Sequence, residues 1–205
     1  MTSRLIFSLA ALLGTASVAA AAAPADMAAR LLAAHNAARA AVGSAPLVWN
    51  EALARDARDW AVHLANTGTF EHATRPAGKA AQSENLWMGT ASAYAYEEMV
   101  AAWVDEKQFY RRGVFPDVST TGKWQDVGHY TQLIWHSTTD VGCAIATGGG
   151  EDTLVCRYSP TGNWVGQSAE RPAERANQPA KSLAAMALKL NPPKPTPTKA
   201  AKSKR

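Results

Sequence analysis

GHYTQLIWHSTTDVGC, residues 128–143, is the stretch on which the reading of this chain turns. Its first eight residues have the spacing of a short amphipathic helix, and its end, from Val141, reads as a strand. CRYSPTGN, residues 156–163, follows at short range as its partner. Between them, residues 141–147 and 153–158 are rich in β-formers and flank Gly148-Gly149-Gly150-Glu151-Asp152, a hairpin signal. A turn centred between Gly149 and Gly150 pairs residues whose numbers sum to 299, which sets Cys143 opposite Cys156. Their Cα atoms would then lie about 4.5–5.5 Å apart, within disulfide range. The chain has two cysteines, and in an exported protein an even count reads as a disulfide. A metal site would need more Cys or His at close spacing. No G-x-S-x-G, H-E-x-x-H or G-x-x-x-x-G-K-[ST] occurs in the chain.

Working outward, the 205 residues are 47% hydrophobic and 19% charged, enough for one domain with a real core. The net charge of +4 is unevenly spread. Residues 24–167 carry 11 basic and 15 acidic side chains, whereas residues 168–205 carry nine basic and two acidic. The domain is therefore mildly acidic, which speaks against nucleic-acid binding by it. At the N-terminus Arg4 precedes an apolar run over residues 5–18 and an alanine run over 19–23. Residues 1–23 thus read as a signal peptide, too short in its apolar part to span a bilayer, with cleavage expected within 19–23. The protein is expected outside the cell or in the periplasm or cell envelope. Residues 24–167 are expected to form the domain. Residues 168–205 are expected to be a basic, proline-containing disordered tail that does not pack on it.

Residues 26–42 read as a first helix, carrying His35, Asn36 and Arg39, with Gly43 as its stop. Residues 46–49 read as extended. Asn50 can cap a second helix that ends near Gly68. Residues 70–83 read as loop, and ENLWMG, residues 84–89, is short and mostly apolar. Ser92 can cap a third helix running to about Tyr110, and Asp126 can cap the short helix of the opening stretch. On the third helix Met99, Trp103, Glu106 and Tyr110 form one stripe. The Glu106 carboxylate must find a partner or be protonated, unless it reaches solvent at the stripe's edge. Six tryptophans, Trp49, Trp60, Trp87, Trp103, Trp124 and Trp135, read as core and cleft wall.

GHYTQLIW with VGC, then CRYSPTGN, supported by HNAAR and LVW upstream, resembles the signatures of the CAP superfamily. That superfamily comprises cysteine-rich secretory proteins, antigen five and the plant pathogenesis-related group one proteins. The resemblance covers residues 31–167. It implies an α+β fold, a three-layer α-β-α sandwich around a small, mainly antiparallel sheet. It also implies a central cleft in which two His and two Glu converge. By motif these are His72 in FEHA, Glu84 in ENLW, Glu106 in WVDE and His129 in GHYTQ. Such a set suits a divalent cation such as zinc, with His72 and His129 as ligands, though no cofactor is required. The four can equally satisfy one another by hydrogen bonds. His35 reads as structural, and His63 and His136 have no motif support as ligands.

This chain departs from many family members. It can form only one disulfide, has Ser83 where a Gly often stands, and has no cysteine-rich C-terminal module, so ion-channel regulation is not implied. Three functions are open. The first, preferred, is an exported, monomeric binding module for sterol or other lipid. The second is a metal-dependent hydrolase or peptidase with Glu84 or Glu106 as base. The third is an envelope-associated protein whose tail holds anionic cell-surface polymer.

Overall fold

A computed structural model of the chain describes residues 25–74 and 81–171. Two helices begin the fold. Helix α1 (Ala25–Ala41) buries Met27, Leu31, His35 and Arg39, every fourth residue, so its inward stripe is half polar. After strand β1 (Val48–Trp49), the Asn50 side chain accepts the N–H groups of Ala52 and Leu53 and starts α2 (Glu51–Thr67). Gly68, at φ 66°, ends it in the left-handed region.

The segment ENLWMG lies within strand β2 (Ser83–Thr90). Helix α3 (Tyr96–Val104) is shorter than expected at both ends. Ser92 does not cap it; Ser92 has φ 61°, and its N–H donates to Asp152. The Glu98 carboxylate takes the Ala95 N–H instead. From Asp105 the chain tightens into a 3-10 turn through Phe109, which carries Glu106 off the straight helical stripe. Helix α4 (Gly128–Ile134) follows a second 3-10 turn, Trp124–Val127. Asp126 does not cap it either, being held by the Thr121 hydroxyl at 2.6 Å.

Strands β3 (Asp140–Gly148) and β4 (Glu151–Ser159) form the expected hairpin, in the expected register from Asp140–Ser159 to Gly148–Glu151. The sheet order is β1-β3-β4-β2, parallel only between β1 and β3. The pleat then sorts the core into two layers. Val141, Cys143, Leu154, Cys156 and Tyr158 pack with residues of α1, α3 and α4. Ala144, Val155 and Leu86 pack with Ala57, Ala61 and Leu64 of α2. A Cβ at Gly142 would lie 2.3 Å from the Ala54 backbone nitrogen, so only glycine lets α2 sit this close. The result is the expected α-β-α sandwich.

Cys143 and Cys156 are register partners and are bonded, with Cα atoms 4.1 Å apart and both side chains fully buried. Such a bond fits an oxidising compartment. Closing so short a loop restricts the unfolded chain by roughly 2–3 kcal/mol in the entropy model. Replacing both cysteines by alanine is expected to lower denaturant-measured stability by that amount. An unchanged midpoint, or two free thiols in non-reducing peptide maps, would contradict it.

The expected domain end at Gln167 falls short of the packed chain. The Ala169 carbonyl accepts the His136 N–H at 2.7 Å, Ala169 is fully buried, and Glu170 pairs with Arg112. The rest of the expected tail and the signal segment lie outside the described residues. A chain ending at Gln167 is expected to be about 2 kcal/mol less stable than one ending at Arg171, through the lost contacts and the orphaned His136 N–H. Equal urea midpoints would show that this strap contributes nothing.

Candidate functional site

The four candidate side chains form two His–Glu pairs. Glu84 stands near the start of β2, on the α2 side of the sheet with Leu86. Its Oε1 accepts from His72 Nδ1 at 2.9 Å and from the Ala73 N–H at 3.1 Å. Its Oε2 accepts from Arg157, its register partner on β4, at 2.8 Å. Glu106 stands on the 3-10 turn after α3, and its Oε1 lies 2.6 Å from His129 Nδ1. Its Oε2 accepts the N–H groups of His129 and Tyr130, both at 3.0 Å. Glu106 thus caps α4 from across the chain, the task that local sequence assigned to Asp126.

Against a carboxylate, each Nδ1 carries the proton and donates, which leaves Nε2 as the atom able to ligate. The carboxylates lie inside and the imidazoles outside. The His72 side chain is 64% exposed and His129 33%, against 9% for Glu84 and 18% for Glu106. This is the arrangement in which carboxylates orient histidine ligands rather than bind an ion themselves. The pairs are not one compact cluster. Among the described residues, no three of the four bring ligand atoms within 4.8 Å of one another. Glu84 faces α2, while its neighbour Asn85 points to the other face and donates to the His129 carbonyl. His129 stacks there on Trp103, with ring centroids 6.1 Å apart.

One close His/Cys grouping does occur, His35 with Cys143 and Cys156, but it offers no ligands. The sulfurs are bonded to each other, and both His35 nitrogens are engaged. Its Nδ1–H donates to the Leu31 carbonyl at 2.7 Å, and its Nε2 takes the Tyr158 hydroxyl at 3.0 Å. Burial pushes the His35 imidazole down to about 4 and the Tyr158 phenol up, so both are neutral. A buried polar link therefore runs from the Tyr158 hydroxyl through His35 to the Leu31 carbonyl of α1.

Sequence reasoning did not single out Arg157 or Asn85. Both lay inside quoted motifs, and the alternation of Cys156 with Arg157 was the available signal. His63 stacks on Trp60, and His136 Nδ1–H donates to the Ser168 carbonyl, so neither joins the site. Trp103 and Trp135 are core as expected, but Trp124 lies on the surface, 40% exposed. Two of the cavities among the described residues lie elsewhere. One of about 500 Å³ lies between α1, α3 and the hairpin end, lined by Met27, Met99, Ile145, Tyr94 and Tyr96 and by polar Arg30, Ser92, Thr147 and Asp152. The other, about 770 Å³, is lined largely by hydroxyl, amide and glycine residues of loops near His136 and Gln167.

The profile of the cysteine-rich secretory protein (CAP) family matches residues 32–158. The pathogenesis-related protein PR-1 of Medicago truncatula is 39% identical over 135 residues, which cover 65% of this chain and 73% of that protein. Pathogenesis-related protein 1B of Nicotiana tabacum is 38% identical over 136 residues, covering 66% and 76%. Among solved structures, that of NaASP2 with Zn2+ superposes with a TM-score of 0.63 at 21% identity, over 81% of this chain and 97% of that one, a likeness of fold. On the profile match and these relatives, the chain belongs to the cysteine-rich secretory protein family.

Proposed function

We propose that this protein is an exported binding module that takes a sterol or fatty-acyl lipid and does not turn it over. The observation that carries this reading is the state of the two carboxylates. All four oxygens of Glu84 and Glu106 already accept hydrogen bonds from imidazole, guanidinium or backbone N–H groups. A general base works with a carboxylate directed at water, whereas Glu84 and Glu106 lie inward of their imidazoles and each holds an imidazole together with backbone or guanidinium N–H groups. The cavity of about 500 Å³ has the size for an acyl chain, with Met27, Met99 and Ile145 to meet it and Arg30, Ser92, Thr147 and Asp152 as polar partners for a head group.

Zinc or a similar cation fits the two histidine Nε2 atoms in part. Two imidazoles held by carboxylates are a sound beginning, yet a zinc site takes three or four protein ligands. Bound there, the ion would supply Lewis acidity toward a polar head group. His72 and His129 would hold it, with Glu84 and Glu106 fixing the rings. The double change His72→Ala with His129→Ala is expected to abolish calorimetric zinc binding. Zinc binding that survives the double change would place the ion elsewhere.

The hydrolase reading separates from the binding reading in one comparison. Wild type and Glu106→Gln are assayed for lipid binding and for ester and peptide hydrolysis, with and without zinc. Gln keeps an oxygen for the α4 N–H groups, so the fold should survive. Binding in both proteins without turnover is expected. Zinc-dependent turnover that Glu106→Gln removes would overturn the proposal.

A further inference from the structure

Three segments that are distant in sequence meet on one side of the fold and expose apolar groups. The Phe115 N–H donates to the Gln167 carbonyl and the Gly166 N–H to the Phe115 carbonyl, which lays residues 114–115 beside 165–167. Phe115 meets Trp124 edge to face at 5.2 Å. Trp124 in turn lies over Gly128, whose carbonyl accepts from Asn163, the neighbour of Trp164. The outward groups of this patch are Val114, Trp124, Trp164 and Val165, exposed by 52, 40, 51 and 76%. Two tryptophans and two valines in one place exceed the scatter of single apolar residues normal on a surface.

The chain leaves the described fold beside this patch, at Arg171, directly after the strap that borders it. The 34 residues beyond, 172–205, carry eight basic side chains and one acidic. Lys123 adds an exposed cation next to Trp124. Stable peripheral attachment to a membrane takes two signals, apolar insertion and attraction to anionic lipid. Both occur here at one place on the molecule. Tryptophan favours the bilayer interface, and exposed valine has no use against a hydrated sugar polymer.

We propose that the Val114–Trp124–Trp164–Val165 face, together with the cationic segment that begins at Arg171, seats the protein on an anionic lipid bilayer. The attachment is peripheral; among the described residues no helix is long and apolar enough to cross a membrane. It does not depend on the lipid cavity or on the His–Glu pairs.

The test is co-sedimentation of the protein as purified after export with vesicles of phosphatidylcholine alone or with about one-third phosphatidylglycerol. Binding to the anionic vesicles is expected, weakening strongly in 0.5 M salt. Truncation after Arg171 should weaken it on the order of a hundredfold. Trp164→Ser with Val165→Ser should weaken it roughly tenfold, with the melting temperature unchanged. Both positions face solvent, so these variants should fold. No binding to anionic vesicles would overturn the proposal. So would binding unaffected by the loop variant, or complete competition by soluble polygalacturonate, either of which would assign the tail to polyanions in general. Because sedimentation follows the protein rather than extracted lipid, failure of the ligand proposal leaves this result intact, and the reverse.

Discussion

Replacing Arg39 by alanine is expected to lower stability by about 4 kcal/mol or more, a large share of what a domain of this size has. Arg39 lies fully buried on α1, and all the bonds of its guanidinium go to carbonyls. They are those of Ala45 at 2.7 Å, Leu133 and Trp135 at 3.0 Å, and Thr138 at 2.9 Å. Leu133 and Trp135 end α4, where carbonyls lack helical partners and the dipole favours a cation. Ser44 takes the intervening Ile134 carbonyl at 2.8 Å. Burial pushes the guanidinium down to about 10, which leaves it charged at neutral pH. Alanine would remove the side-chain donor of the Ala45, Leu133 and Thr138 carbonyls at once, while the Trp135 carbonyl would keep the Thr138 N–H. Their costs are not additive, so the sum of single-bond values is an upper bound. Arg39→Lys keeps the charge but not the planar fork, and should recover only part of the loss. A urea titration in which Arg39→Ala costs under 1 kcal/mol would contradict this account of how α1 holds α4.

His35 should make the protein lose stability on mild acidification. Its imidazole is pushed down to about 4, mainly by burial, against an ordinary value near 6.5 in the unfolded chain. Between these values the unfolded chain binds a proton that the folded chain refuses, so stability falls as pH falls. The contribution is fully present above about pH 6.5 and is lost progressively toward pH 4, by about 3 kcal/mol in all. His35→Gln removes this term and leaves the carboxylates of the protein as they were. Denaturant unfolding from pH 7.5 to 4 should therefore show the gap between wild type and His35→Gln closing by about that amount. Parallel curves would show that His35 takes its proton without penalty.

Local signals were legible where the chain itself states the geometry. Asn50 and Gly68 mark the ends of α2, and three consecutive glycines mark a hairpin whose register sets Cys143 against Cys156. The signals failed where a distant group replaced a local one. Asp126 and Ser92 are good caps by type, but Glu106 reaches α4 from another element and Glu98 serves α3. β2 gave no clear alternation because both its faces carry partners, with Asn85 and Trp87 on one and Glu84 and Leu86 on the other. The site residues came from motif resemblance, which carries no geometry. Nothing in the spacing indicated that Asn85 would reach the His129 carbonyl, or that Arg157 would share Glu84.

The claim that this protein holds its ligand without converting it is tested most directly with a lipid that can be cleaved. The protein purified after export is incubated with a fluorescent ester of palmitic acid in the presence of zinc, and the protein-bound and free fractions are analysed by mass spectrometry. The account predicts intact ester bound at up to one molecule per chain, with hydrolysis no faster than in buffer. Release of many product molecules per chain, or no ester retained by the protein at all, would contradict it.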